Sequence, residues 1–127
     1  WQFITFDRCA PDLPNLTKAN CDRLRPVDLM VICDRVVTKP GYGTLAEALR
    51  VGVPVVCLTR EGFLEAETLI AGVKSYSEHL IISPQEFYEG DWSFLNATFL
   101  SPDSTKVKKL DMHGEETINQ SILDYFA

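Results

Sequence analysis

Strands that alternate with helices predict an α/β domain with a mainly parallel sheet. Three observations carry this reading. Pro54-Val-Val-Cys-Leu58 is a continuous apolar run of the kind buried on both faces of a parallel sheet. On either side of it, Thr44–Val51 and Leu64–Val73 carry apolar residues at helical spacing. Two further short aliphatic runs, Arg35–Lys39 and His79–Ile82, flank that helix–strand–helix unit.

The elements follow in chain order. Residues 1–6 alternate and carry aromatic and β-branched side chains, which predicts a strand. Residues 7–26 hold Pro11, Pro14 and Pro26 among polar groups and read as loop, with room for a short strand at Leu16–Ala19. Asp28–Cys33 fits helix or strand on pattern alone. Pro26 ahead of it and Asp28 in its first turn favour a short helix.

Arg35–Lys39 is a strand ended by Pro40-Gly41-Tyr42-Gly43. The helix Thr44–Val51 places Leu45, Ala48 and Leu49 on one face, with Gly52 as terminator. A loop at Thr59–Phe63 leads to the helix Leu64–Val73, closed near Gly72. Pro84–Tyr88 opens a helical turn, and residues 90–112 show no regular pattern. Glu115–Phe126 places Ile118, Ile122 and Phe126 four residues apart, an amphipathic helix.

At 127 residues the natural count is one domain spanning 1–127, large enough to bury about 68% of its unfolded surface. Ordinary glycine and proline content excludes fibrous and low-complexity classes. The amino end, Trp1-Gln-Phe-Ile-Thr-Phe, lacks a basic start, a cleavage site and a Met, so a fragment of a longer protein is expected rather than a leader. No apolar run is long enough to span a bilayer.

Twelve basic against eighteen acidic residues give a net charge of −6, which disfavours nucleic acid as a partner. The one basic cluster, Lys106, Lys108 and Lys109, reads as a solvated face. Cys9, Cys21, Cys33 and Cys57 form no C-x-x-C pair and have no histidine at zinc spacing, so no metal site is expected. Cys33 and Cys57 sit in apolar runs as buried thiols would, which points to a reducing cytoplasm. The acceptor triplets at Asn15 and Asn96 carry little weight.

The stretch with chemical content is strand–Lys39-Pro40-Gly41-Tyr42-Gly43-Thr44–helix. A helix amino terminus offers unpaired N–H groups and about half a positive charge to a phosphate. Glycines leave room for an anion to approach the backbone, and ligands collect at the carboxyl ends of parallel strands. Two glycines also make a plain tight turn. Thr44 either caps the helix or donates its hydroxyl to phosphate, and Lys39 either meets phosphate or lies along the strand end.

Glu47, one turn in, either accepts ribose hydroxyls or only stabilises the helix dipole by about 0.3–1 kcal/mol. Arg60, Phe63 and Glu65 crowd the end of the next strand, where an arginine adds bidentate contacts to an anion. Gly41-Tyr-Gly-Thr-Leu-Ala46 also fits the dinucleotide pattern G-x-G-x-x-G/A weakly, because no acid ends the following strand. His79 and His113 stand beside no plausible nucleophile.

The segment Asp34-Arg-Val-Val-Thr-Lys-Pro-Gly-Tyr-Gly-Thr-Leu-Ala-Glu-Ala-Leu-Arg-Val-Gly-Val-Pro-Val-Val-Cys-Leu58 resembles the donor half of GT-B glycosyltransferases. With Arg60-Glu61-Gly62-Phe63 and Glu65 it is most similar to the glycosyltransferase-like region of L-arabinokinases. The likeness is sharp over residues 26–70 and loose outside them. It implies a Rossmann-like three-layer domain, half of a GT-B fold, that binds a nucleoside diphosphate sugar and needs no further cofactor.

Gly41, Tyr42, Gly43 and Thr44 would face the diphosphate, Glu47 the ribose, and Arg60, Phe63 and Glu65 the sugar and phosphates. Transfer to an acceptor would require an amino-terminal acceptor domain that these residues do not resemble. Lys39-Pro40 stands where related transferases carry a different loop entry. Two other readings remain open: a non-catalytic nucleotide- or sugar-binding module, and a fragment of a nicotinamide-dependent oxidoreductase. A truncated sheet edge also leaves room for a homo-oligomer.

Overall fold

A computed structural model describes residues 1–103 and 110–126, so the lysine cluster at 106–109 lies outside the described residues. Among the described residues, five strands and five α-helices are mixed along the chain, and every pairing between these strands is parallel. The expected α/β class holds. The single sheet does not. Strands β1 (Phe3–Thr5) and β2 (Leu16–Lys18) pair with each other, while β3 (Val36–Thr38), β4 (Val55–Leu58) and β5 (His79–Ile82) form a separate sheet in that order.

β1 therefore docks on the larger sheet through side chains rather than hydrogen bonds. The ring of Phe3 meets Trp92 edge-on at 5.5 Å. Trp92 also lies 5.0 Å from Phe87 and 5.6 Å from Phe94 and donates its indole N–H to the Phe87 carbonyl at 2.7 Å. Aromatic contact supplies what the missing ladder does not.

The core is organised by β4. Val55, Val56 and Cys57 are fully buried, and successive side chains point to opposite faces. Val55 and Cys57 pack with Met30, Leu45, Ala48, Val53 and Val73, from α1 (Pro26–Met30), α2 (Tyr42–Val51), α3 (Ala66–Tyr76) and the α2–β4 turn. Val56 and Leu58 pack on the other side with Ile82, Phe94 and Leu95. Phe94 and Leu95 belong to a single 3₁₀ turn, Ser93–Asn96, inside the stretch whose sequence shows no pattern.

Helix boundaries depart from the periodicity for local reasons. α2 begins at Tyr42, two residues early, because Gly41 takes the extended N-cap conformation and its carbonyl accepts from Leu45. Its end is as expected: Gly52 is left-handed, φ 74°, and its N–H closes on the Ala48 carbonyl. α3 starts late, at Ala66, after a turn that leaves Leu64 99% exposed. It does not stop at Gly72. Burial of Val73 holds the helix for another turn, which outweighs a glycine cost of about 1 kcal/mol.

The carboxyl-terminal helix α5 (Gly114–Phe126) forms where expected, but its apolar stripe is not buried. Ile118, Ile122 and Phe126 are exposed, and no described residue covers them. The short helix α4 (Pro84–Tyr88) is held by a reciprocal cap. The Ser83 hydroxyl accepts from the Glu86 N–H at 3.1 Å, and the Ser83 N–H donates to the Glu86 carboxylate at 2.7 Å.

The Ser83 backbone N–H, and after it the Ser83 hydroxyl donating to the same carboxylate oxygen at 2.8 Å, hold the Glu86 carboxyl below its ordinary range. A depressed carboxyl contributes stability above its unfolded value of 4.5 and loses it as pH falls through the folded value. Ser83→Ala should therefore cost about 1 kcal/mol in urea denaturation at pH 7. The difference between Ser83→Ala and the parent should shrink below pH 4.5, and an equal gap at both pH values would remove this account of the cap.

Candidate functional site

β3 and β4 are parallel neighbours with Thr38 opposite Cys57, so the segments that follow them leave the sheet along the same edge. About 4.8 Å separates adjacent strands, so residues 39–44 and 59–65 leave the sheet from neighbouring strand ends. All nine residues singled out from the sequence lie on these two segments or on the first turns of α2 and just ahead of α3. The fold brings them to one edge.

The first segment is pinned from below. Pro40 is fully buried, and the Thr38 hydroxyl donates to the Lys39 carbonyl at 3.0 Å, which leaves that hydroxyl committed. Lys39 is exposed beside it. Gly41 is the N-cap, so no side chain caps α2, and no acidic residue occupies its first turn. The N–H groups of Tyr42, Gly43 and Thr44 have no partner within the helix.

Thr44 sits at the third helical position and does not cap, which corrects one of the two roles open to it. The glycines also need rereading. Neither Gly41 nor Gly43 has positive φ. A Cβ at Gly43 would meet nothing within 4 Å, and one at Gly41 only the Lys39 carbonyl at 3.9 Å. The turn itself does not require them. They keep the surface in front of three N–H groups low and open.

The second segment carries Arg60, whose guanidinium lies 4.6 Å over the Phe63 ring. Gly62, at φ 69°, makes the turn that lets the two meet. Arg60 and Glu65 are exposed, and Phe63 is half-buried. Among the described residues, no ion pair joins Lys39, Glu47, Arg60 or Glu65 to a partner.

Arg25 is the residue the sequence reading missed. Its guanidinium is held above its ordinary range first by the hydrogen bond to Asp28 at 2.9 Å, and least by the charge of Glu47. Asp28 is lowered in turn by those Arg25 bonds. Arg25 thus lies within electrostatic range of half-buried Glu47, its guanidinium committed to Asp28, where α1 packs on α2. The available signal was Pro26: a proline at N1 starts a helix, and a helix preceding a parallel strand starts at that strand's carboxyl end.

Other candidates fall away from this edge. His79 is buried at the start of β5, with Nδ1 2.9 Å from the Ser77 carbonyl oxygen. His113 is exposed next to Glu116. Ala46 is exposed whereas Ala48 packs against the sheet, so helix–strand packing lends the dinucleotide pattern nothing. Among the described residues no group of His, Cys, Asp or Glu is arranged for a metal. No described helix is long and apolar enough to cross a membrane. No protein family, curated protein or solved structure matches this chain.

The cysteines are all free. Cys9 and Cys21 are exposed, Cys33 is only half-buried, contrary to its apolar neighbourhood, and Cys57 is buried. Burial pushes the Cys57 thiol up to about 11, which removes its nucleophilicity. Thiol titration of the folded protein should modify Cys9 and Cys21 first and Cys57 only on unfolding. Rapid labelling of Cys57 in the native state would contradict the burial of β4.

Proposed function

We propose that the chain is the nucleoside-diphosphate-binding portion of a glycosyltransferase-like protein, with a Rossmann-like three-layer architecture of the GT-B donor type. The observation that carries this reading is the start of α2. It is a helix terminus that follows a parallel strand, has no side-chain cap and no acid in its first turn, and lies behind two glycines. Such a terminus attracts a phosphate through oriented N–H groups and the helix dipole.

In this reading the diphosphate accepts from the N–H groups of Tyr42, Gly43 and Thr44. Lys39 and Arg60 add charge from either side, and Phe63 holds the Arg60 guanidinium in place. Glu47 accepts the ribose hydroxyls. Glu65 lies where a sugar would extend beyond the phosphates. The interactions stabilise the leaving diphosphate as charge develops on it. An acceptor and its activating base belong to a further domain, so this chain alone binds and does not transfer.

The test is a thermal-melting titration with UDP, GDP, dTDP, ADP and NADH. A ligand at a hundred times its dissociation constant should stabilise the fold by about 2.7 kcal/mol. One nucleoside diphosphate should give that shift, with at least about a tenfold loss of affinity in Glu47→Ala, on the scale of one charged hydrogen bond. Glu47→Ala should leave the unliganded melting temperature nearly unchanged. Equal binding by the variant would take Glu47 out of the site, and a response to NADH alone would favour a nicotinamide reading.

A further inference from the structure

A cavity of about 610 Å³ lies away from that edge; none of the nine candidate residues lines it. It lies between the β1–β2 pair and the start of β3, where the two sheets fail to join. Its walls are mainly apolar, built from Phe3, Leu13, Leu16, Ile32, Val36 and Trp92. That size and lining are those of a small-molecule site.

One cation reaches this cavity, Arg35. Its guanidinium is clamped between aromatic faces, 4.5 Å from the Trp1 ring and 4.7 Å from Phe99. One Nη donates to the Leu95 carbonyl, and the buried Nε has no acceptor. Among the described residues no carboxylate pairs with it. Asp34 also reaches the rim but is exposed, so water screens its charge. A partly desolvated, immobilised guanidinium without a counter-charge is costly, and it binds a carboxylate strongly where it does meet one.

We propose that this cavity binds an amphiphile with an apolar body and a single carboxylate, the body among the aliphatic walls and the carboxylate on Arg35. The site stands apart from the nucleotide reading: Arg35 immediately precedes β3, whereas Lys39 follows its end.

The chain's two tryptophans, Trp1 and Trp92, both line the cavity, so its intrinsic tryptophan fluorescence reports on this site. The probes are octanoate, decanoate and dodecanoate, with 1-octanol as the neutral counterpart. At least one carboxylate should give a saturable change with a dissociation constant below about 1 mM. Octanoate should bind more tightly than 1-octanol, by about tenfold or more.

Arg35→Gln should abolish that preference. Ala10→Phe, which fills the cavity and leaves Arg35 in place, should weaken every probe, with circular dichroism confirming that each variant is folded. If Arg35→Gln does not fold, Ala10→Phe and the octanoate–octanol comparison decide the matter. No saturable change with any carboxylate, equal binding of octanol and octanoate, or unaltered binding by folded Ala10→Phe would each overturn the proposal.

Discussion

Everything in this fold depends on the burial of β4 on both of its faces. Val55, Val56 and Cys57 expose no surface, and β4 is hydrogen-bonded along both edges, to β3 and to β5. Each fully buried valine contributes about 1.5–3 kcal/mol, so a four-residue strand is a large share of a small domain's margin. A strand buried in this way must have cover above and below. It also must have parallel partners that return by crossovers. α2 and α3 are those crossovers, and they are the reason that two loops and a helix amino terminus share one edge.

That edge is a local device in an unfavourable global field. The chain carries a net charge of −6, which repels anions at long range. Charges separated by more than about 8 Å are screened at physiological salt, so nearby groups decide the outcome. Near the start of α2 those groups are the uncapped N–H donors, with Lys39 and Arg60 on the two segments at that sheet edge. The opposite stretch of β3 shows the contrasting arrangement, a single cation held by aromatic rings at an apolar cavity. One is open and polar; the other is a mainly apolar cavity with one arginine in its wall.

The parts that the sequence made legible are those with strong local signals. The aliphatic run at 54–58, the left-handed cap at Gly52 and the Ser83–Glu86 cap around Pro84 each dictate structure within a few residues. The nine candidate residues come to one sheet edge for the same reason, since they sit on or beside two short loops whose strands are neighbours. Features set by distant contacts were not. Val73 overrides Gly72 through packing, and Trp92 reaches left-handed backbone, φ 58°, because its ring is anchored by Phe3, Phe87 and Phe94. The split between the two sheets, and the cavity it leaves, has no periodic signature at all. Arg25 joins the edge only through the packing of α1 on α2.

The most direct measurement is a residue-resolved amide shift map of the ¹⁵N-labelled chain titrated with the tightest-binding nucleoside diphosphate, and with inorganic pyrophosphate beside it. The account predicts saturable shifts at the amides of Tyr42, Gly43 and Thr44 with both ligands. Shifts around Arg25 and Glu47 should appear only with the nucleotide. Amides at 41–44 that stay fixed while shifts appear elsewhere, or nowhere, would contradict the claim that the start of α2 is a diphosphate site.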